Sequence, residues 1–121
     1  MSNILRIPSG FEGRSWSSAY QNFVWSVAVA TDTTLGIEEQ AKQTLENLAK
    51  NLENIGSSKQ HIISAQVYLT DMKNKIIVDQ IWNQWIGSNP EHWPQRACLG
   101  VALGGNLLIE VTVTAILNSK N

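Results

Sequence analysis

The hydrophobic period of this chain changes several times along its length, and these changes set the order of its predicted elements. Strictly alternating apolar residues predict strands, whereas apolar residues at helical spacing predict amphipathic helices. In chain order the pattern predicts strands over 4–7, 15–20 and 23–30, a helix over 37–55, a strand over 61–70, a helix over 74–86, and two apolar strand-like runs within 96–116. This order, β-β-β-α-β-α-β-β, indicates an α+β fold with one sheet.

Each predicted helix carries a single apolar stripe, so both helices should cover the same side of the sheet. On the strand over 23–30, the larger side chains indicate a core face made of Phe23, Trp25, Val27 and Val29. The sheet face without helices would carry Tyr68, Leu108 and Ile116, which is more apolar surface than a solvated face usually shows. We therefore expect this face to associate with other copies of the chain.

The last quarter of the chain has two apolar runs that meet at Gly104-Gly105, and each run contains one isolated charge. Arg96 lies in the first run and Glu110 in the second, without an obvious partner nearby in sequence. Charged groups on half-buried strands are costly to desolvate unless they are paired or bind a ligand. A two-residue Gly-Gly turn would put these charges on opposite faces. The amphipathic pattern favours a three-residue hairpin loop instead, which sets Cys98 across from Glu110 and predicts that Arg96, Cys98 and Glu110 line the helix-free face.

Length and composition limit the classes of function. A chain of 121 residues, 43% hydrophobic and 16% charged, fits one compact domain over residues 1–121. The net charge of −1 and the scattered basic residues argue against nucleic acid or an anionic membrane as partners. The start lacks a signal-peptide pattern, no run has membrane-spanning length, and one cysteine cannot form an internal disulfide, so we expect a cytoplasmic protein. His61 and His92 stand alone in the sequence, which predicts no metal centre.

Four short motifs are distinctive in combination. They are Gln43-Thr44-Leu45-Glu46-Asn47-Leu48, Val67-Tyr68-Leu69-Thr70-Asp71-Met72, Pro94-Gln95-Arg96-Ala97-Cys98 and Ile109-Glu110-Val111. Together they resemble the YjgF/Rid family of reactive-intermediate deaminases, once labelled endoribonuclease L-PSP. The resemblance implies a chorismate-mutase-like fold, with a single six-stranded mixed sheet and two helices on one face. It also implies a homotrimer whose intersubunit clefts hydrolyse 2-imino acids, or their enamine tautomers, to 2-oxo acids and ammonia without metal or organic cofactor.

The resemblance further implies roles for individual residues. Arg96 matches the family arginine and would hold the substrate carboxylate through two parallel hydrogen bonds. Glu110 matches the strand-borne glutamate and would position water and accept a proton. Cys98 would line the pocket, and Trp93 would either wall it or contribute to an interface. Ala28 occupies a position that is commonly glycine, whose backbone faces the ligand.

Other positions depart from the family pattern or leave alternatives open. Asp79 stands in place of the asparagine of the second-helix motif, and either Trp16 or Tyr20 would replace the tyrosine that closes the family pocket. Arg96 could instead form a structural ion pair, for which Glu110 is one candidate partner. In that case the charges would stabilise the assembly rather than bind a substrate.

Two other functions fit parts of the same pattern. A non-catalytic protein that binds small carboxylates such as 2-oxo acids would need Arg96 but not Glu110, and Cys98 would be a small buried apolar side chain. RNA cleavage, suggested by the older family name, would use paired histidines and a basic, aromatic surface. The sequence shows neither feature.

Overall fold

The computed structural model describes residues 3–119, and its elements follow the predicted order. The strands are β1 Leu5–Pro8, β2 Ser15–Tyr20, β3 Phe23–Val29, β4 Ile62–Leu69, β5 Gln95–Gly100 and β6 Ile109–Ile116. The helices are α1 Ile37–Asn54 and α2 Lys75–Ile86, and short 3₁₀ turns span Lys59–His61, Met72–Asn74 and Pro90–His92. The order β-β-β-α-β-α-β-β is confirmed.

The strands form one six-stranded mixed sheet in the order β1-β2-β3-β6-β4-β5. All neighbouring strands run antiparallel except β4 and β5, which are parallel. Parallel neighbours need a crossover connection, and α2 provides it. The buried residues of both helices share one core with the strand residues of a single sheet face. The predicted α+β fold, with both helices on one side of the sheet, is therefore confirmed.

Helix α1 lies on the sheet through the apolar stripe that the sequence predicts. Its buried apolar residues are Ala41, Leu45, Leu48 and Leu52. Gln40 is also fully buried, and its side-chain amide donates to the Asn106 carbonyl at 3.2 Å while its Oε1 accepts from the Leu108 N–H at 3.0 Å. These hydrogen bonds fix the start of α1 against the segment that leads into β6.

Both main helices end at glycines that the sequence also indicates. Gly56 follows α1 with a φ of +92°, and Gly87 follows α2 with a φ of +88°. Glycine adopts this left-handed backbone without the steric penalty of a Cβ, so it terminates a helix readily. The predicted helix ends are therefore close to the observed ones.

The predicted core face of β3 is wrong. Val24 and Ala28 are fully buried against the helix layer, whereas Phe23 and Trp25 are each 45% exposed on the opposite face. The small side chains let α1 approach the strand closely, so that the Asn51 amide donates to the Val27 carbonyl at 3.0 Å. The sequence pattern misled because β3 is apolar on both faces and its larger side chains lie on the face without helices.

The predicted hairpin between the last two strands is also wrong. β4 lies between β5 and β6 and pairs with both of them. Residues 101–108 connect β5 to β6 past the end of β4, where the Val101 N–H donates to the Leu69 carbonyl at 2.9 Å and the Thr70 N–H donates to the Leu108 carbonyl at 3.2 Å. A connection of this length can bridge one intervening strand, and parallel pairing to β4 depends on α2 rather than on a local turn.

The face of the sheet opposite the helices carries several large exposed side chains. Phe23 and Trp25 have ring centroids 6.2 Å apart, and Tyr20 and Leu99 are also exposed. Large apolar side chains do lie on this open face, but the most exposed ones are these residues rather than the predicted Tyr68, Leu108 and Ile116, which are half-buried. In the described part of the chain, neither helix combines the length and apolar character needed to cross a bilayer.

Candidate functional site

Arg96 projects toward the helix side of the sheet. It lies on β5, at the sheet edge, opposite Ala65 of β4, whose side chain is buried in the core. The guanidinium covers the ring of Trp82 in α2, with Cζ 5.3 Å from the ring centroid, and Nη2 donates to Oδ1 of Asp79 at 2.6 Å. Nη1 is buried and has no hydrogen-bond partner among residues 3–119. An unsatisfied buried N–H is costly, and because Nη1 is sealed from solvent, an anionic ligand would reach it only after the side chains that cover it shift.

Asp79 joins Arg96 to a second cation. Its Oδ2 accepts from Lys75 Nζ at 2.8 Å, one turn earlier on α2. Burial is the largest influence on the pKa of Asp79 and raises it, but the hydrogen bonds and charges of Lys75 and Arg96 together outweigh burial and lower the pKa below its usual range. Asp79 is therefore ionised at neutral pH, and the three side chains together keep one net positive charge.

A cavity of ≈670 Å³ adjoins Arg96 on the helix side of the sheet. Trp82, Ile86 and Pro94 form apolar walls, and Trp93 lines the same cavity. The Trp93 indole N–H donates to the Gly87 carbonyl at 2.9 Å, which fixes the orientation of the ring. A mostly apolar cavity of this size with one cationic group is typical of small-molecule sites.

Cys98 is a packing residue rather than an activated thiol in this chain. It pairs with the fully buried Val67 and packs against the core. Burial raises the pKa of the Cys98 thiol above its ordinary value and outweighs the lowering by Arg96 and Lys75. A protonated thiol is a poor nucleophile, so the structure favours the small apolar role for Cys98.

Glu110 projects from the open face of the sheet. It lies on β6 opposite Tyr68 of β4, and its neighbours Ile109 and Val111 are buried on the helix side. Because successive side chains of a strand point to opposite faces, the Glu110 carboxylate and the Arg96 guanidinium lie on opposite sides of the sheet.

The prediction that Arg96, Cys98 and Glu110 line one surface of the chain is therefore wrong. The first two residues lie on the helix side, and Glu110 lies on the other side. The error follows from the predicted hairpin, because the observed faces are set by pairing with β4 and not by a direct pairing of β5 with β6. Within the described chain, the ion-pair partner of Arg96 is Asp79.

A second cavity, of ≈470 Å³, adjoins Glu110. Its lining includes Arg14, Trp16 and Phe11 from the segment around β2. The Arg14 guanidinium lies over the Phe11 ring, with Cζ 4.9 Å from the centroid. Of the two proposed counterparts of the family tyrosine, Trp16 lines this cavity whereas Tyr20 does not.

Ala28 lies on β3, at the position where the family resemblance implies that the backbone faces the ligand. Ala28 is fully buried between β3 and the helix layer. The next residue, Val29, lines the cavity beside Glu110. The contact of the Ala28 backbone with a ligand stays a prediction.

Sequence reasoning named Asp79 as a departure from the family motif but not as a partner of Arg96, and it did not assign Lys75 or Arg14 to the site. Asp79 and Lys75 have the i, i+4 spacing of a helical ion pair, which is visible in the sequence. Their relation to Arg96 is not visible, because it depends on how α2 crosses from β4 to β5. Arg14 reaches the cavity beside Glu110 through the packing of the segment that precedes β2, which the sequence pattern does not show.

The two sides of the sheet offer complementary chemistry. The helix side supplies a guanidinium that lines a mostly apolar cavity, which suits a carboxylate on an apolar ligand. The open face supplies a carboxylate in a separate cavity, which suits the orientation of water. Among residues 3–119, no group of three or more His, Cys, Asp and Glu side chains could hold a metal ion.

The fold and the arginine-containing cavity define an α+β protein of the chorismate-mutase-like class with a candidate anion site. The sequence model of the family described as Endoribonuclease L-PSP matches residues 25–117. A RutC family protein of Haemophilus ducreyi is 30% identical over 93 residues, which are 76% of this chain and 78% of that protein. The chain therefore belongs to the YjgF/Rid family, the family described as endoribonuclease L-PSP.

Two further similarities concern function and fold. A protein of Escherichia coli K12 named "Putative reactive intermediate deaminase TdcF" is 26% identical over 81 residues, which are 66% of this chain and 63% of that protein. The crystal structure of a YjgF family member from Neisseria meningitidis has a TM-score of 0.87 at 23% identity and covers 98% of both chains. The structural similarity establishes the fold, and the name of the first protein bears on function.

Proposed function

We propose that this protein is a cofactor-independent hydrolase of reactive 2-imino acids and their enamine tautomers. Water adds to the imine carbon, a proton moves to the nitrogen, and the carbinolamine expels ammonia to leave a 2-oxo acid. The observation that carries the proposal is the Arg96 guanidinium, a cation that lines a ligand-sized, mostly apolar cavity. Membership of the family and the name of the Escherichia coli relative support the reaction class.

Arg96 would anchor the substrate carboxylate on the helix side of the sheet. Asp79 accepts only from Nη2. Once the side chains that cover Nη1 shift, Nη1 and the remaining N–H of Nη2 can form two charge-assisted hydrogen bonds with one carboxylate. The imine carbon is already electrophilic, so orientation of the substrate and of one water molecule would supply much of the acceleration.

Glu110 would orient that water and accept its proton. The carboxylate lies across the sheet from the guanidinium of the same chain, so one protomer cannot use both groups on one small substrate. We therefore propose that each site combines Arg96 of one protomer with Glu110 of the next protomer in a homotrimer. A head-to-tail contact repeated around a threefold axis would create identical sites of this kind.

The exposed surfaces support such an assembly. β5 is an edge strand with unpaired backbone groups and an exposed Leu99, and natural proteins usually cover such an edge. The open face presents Phe23 and Trp25, whose rings would be removed from water by a neighbouring protomer. The single cysteine without a disulfide partner is compatible with a cytoplasmic location, which we include in the proposal.

The proposal is tested by the decay of an imine produced in solution. An amino-acid oxidase would generate 2-iminopropanoate from alanine, and ammonia release would be followed with and without the protein. We expect faster release with the wild type, and a loss of roughly 10²–10⁴-fold in the enzyme-dependent rate for Glu110→Gln, since that range is typical of a general base. Glu53→Gln, which removes an exposed carboxylate from α1, is the matched control and should retain the wild-type rate.

An imine decay rate that does not change on addition of assembled protein would refute the catalytic proposal. An equal loss of rate in Glu53→Gln and Glu110→Gln would refute the assigned role of Glu110, because it would show a general effect of charge. Imines with side chains of increasing size would then define how much of the ≈670 Å³ cavity the substrate occupies.

The second candidate function is non-catalytic binding of small carboxylates such as 2-oxo acids. The position of Glu110 across the sheet from Arg96 favours it, because carboxylate binding needs only the arginine. Calorimetry with pyruvate separates the two functions: Arg96→Ala should abolish binding in both cases. Glu110→Gln should leave the affinity unchanged in a simple binding protein and weaken it when Glu110 forms part of the ligand site.

A further inference from the structure

The ion-pair cluster formed by Lys75, Asp79 and Arg96 contains more charge than a simple carboxylate anchor requires. Asp79 accepts from Arg96 Nη2 at 2.6 Å through Oδ1 and from Lys75 Nζ at 2.8 Å through Oδ2. The three groups are unequally accessible: the side chains of Arg96, Asp79 and Lys75 are 19%, 29% and 44% exposed. The most accessible charge is therefore that of Lys75, which contacts Arg96 only through Asp79.

We infer that Asp79 and Lys75 set the affinity of Arg96 for carboxylate ligands. The negative charge of Asp79 weakens the electrostatic attraction between the guanidinium and a ligand carboxylate. The positive charge of Lys75 partly offsets this effect of Asp79. Both are positioning residues that act through Arg96. The inference rests on the proposed role of Arg96 as carboxylate anchor, and it adds two residues that control how firmly the 2-oxo acid product is held.

Asp79 uses only part of the donor capacity of the Arg96 guanidinium. Asp79 takes one N–H of Nη2, and Nη1 remains buried without a partner in the described chain. A ligand carboxylate can therefore bind without displacing Asp79 once the side chains that cover Nη1 shift, but it must come within a few ångströms of a second carboxylate. At a partly buried site this like-charge repulsion is only partly screened by water.

The net charge of the cluster determines how strongly it attracts a carboxylate ligand. Arg96 and Lys75 contribute two positive charges and Asp79 one negative charge, so the wild-type cluster carries one net positive charge. A bound carboxylate neutralises that charge. One net positive charge is enough to attract an anion but still allows it to leave. This suits a site that must release a 2-oxo acid after each turnover.

A set of variants changes this charge in steps, and pyruvate is the probe. Asp79→Asn keeps an oxygen acceptor for Arg96 but removes the negative charge, and we expect it to bind pyruvate about tenfold more tightly. Lys75→Gln removes the offsetting cation, and we expect about tenfold weaker binding. The double variant restores the wild-type net charge and should bind within about threefold of the wild type. Glu53→Gln, on the other helix, is the control for overall charge and should not change the affinity.

The measurement is the calorimetric Kd for pyruvate at low and high salt. We expect Asp79→Asn to bind pyruvate most tightly, the wild type and the double variant to bind about equally, and Lys75→Gln to bind most weakly. The differences in Kd should shrink as the salt concentration rises. If Asp79 served only to hold the arginine in place, Asp79→Asn would bind pyruvate as the wild type does or more weakly. An Asp79→Asn variant that binds pyruvate no more tightly than the wild type would overturn the inference, and so would a wild type that binds no pyruvate.

The outcome is independent of the proposed catalysis. Failure of imine hydrolysis with the predicted order of pyruvate affinities would reject the catalytic function and retain the role of Asp79. Normal imine hydrolysis, with the same pyruvate affinity in the variants as in the wild type, would retain the catalytic function and reject the role of Asp79. If Asp79→Asn does not fold, Lys75→Gln alone decides, because its side chain is 44% exposed and an affinity equal to that of the wild type would contradict the inference.

Discussion

A single carboxylate, Asp79, determines the charge environment of the proposed anchor. A guanidinium that is mostly buried against Trp82 needs compensation for lost hydration, and Asp79 provides part of it. Lys75 would contribute little as an isolated surface ion pair, but here it touches the same carboxylate as Arg96. Asp79 therefore contributes both to the stability of the fold and to the charge beside Arg96.

This link predicts a pH dependence of stability. The pKa of Asp79 is lowered in the folded protein, so its ionised form stabilises the fold above the unfolded pKa, and that stabilisation is lost as pH falls through the folded value. We expect Asp79→Asn to be less stable than the wild type at neutral pH, with a gap that narrows below about pH 4 as the wild-type carboxyl becomes protonated. Urea unfolding of both proteins across this range measures the gap, and a constant gap would contradict the assignment.

At the scale of whole elements, the helices were predictable and the faces of two strands were not. α1 has one apolar stripe, so its period fixes both its extent and its buried face. β3 is apolar on both faces, so alternation cannot say that Val24 is buried and Trp25 exposed. β5 pairs with β4 through the α2 crossover, which is a long-range contact that no local turn pattern encodes. The candidate residues Arg96 and Glu110 were found from the sequence, but their separation across the sheet required the topology.

The packing of α1 gives a prediction about stability. Leu48 is fully buried in the shared core, and Leu48→Ala should lower the free energy of unfolding by about 2–5 kcal/mol because it leaves a cavity. Glu46→Ala, on the exposed side of the same helix, should change it by less than about 0.5 kcal/mol. Urea unfolding of the two variants tests the orientation of the helix. Equal effects would mean that α1 does not pack on the sheet through this stripe.

At the scale of the whole molecule, the sheet divides the candidate site in two. Arg96 adjoins the cavity of ≈670 Å³ on the helix side, and Glu110 adjoins the cavity of ≈470 Å³ on the open face. A reaction that needs both groups on one small substrate therefore needs two protomers. Under the proposed function, the protein must assemble before it can act, and the exposed aromatic surface of the open face would help to form the site.

Complementation between two inactive variants tests this central claim most directly. Arg96→Ala and Glu110→Gln would be co-assembled in equal amounts with distinguishable tags, and native mass spectrometry would verify mixed trimers before imine hydrolysis is measured. If each site takes its arginine and its glutamate from different protomers, random mixing leaves about one quarter of the sites intact and restores about one quarter of the wild-type rate. Mixed trimers that remain as inactive as either variant alone would contradict the account, because they would place both residues of each site in the same chain.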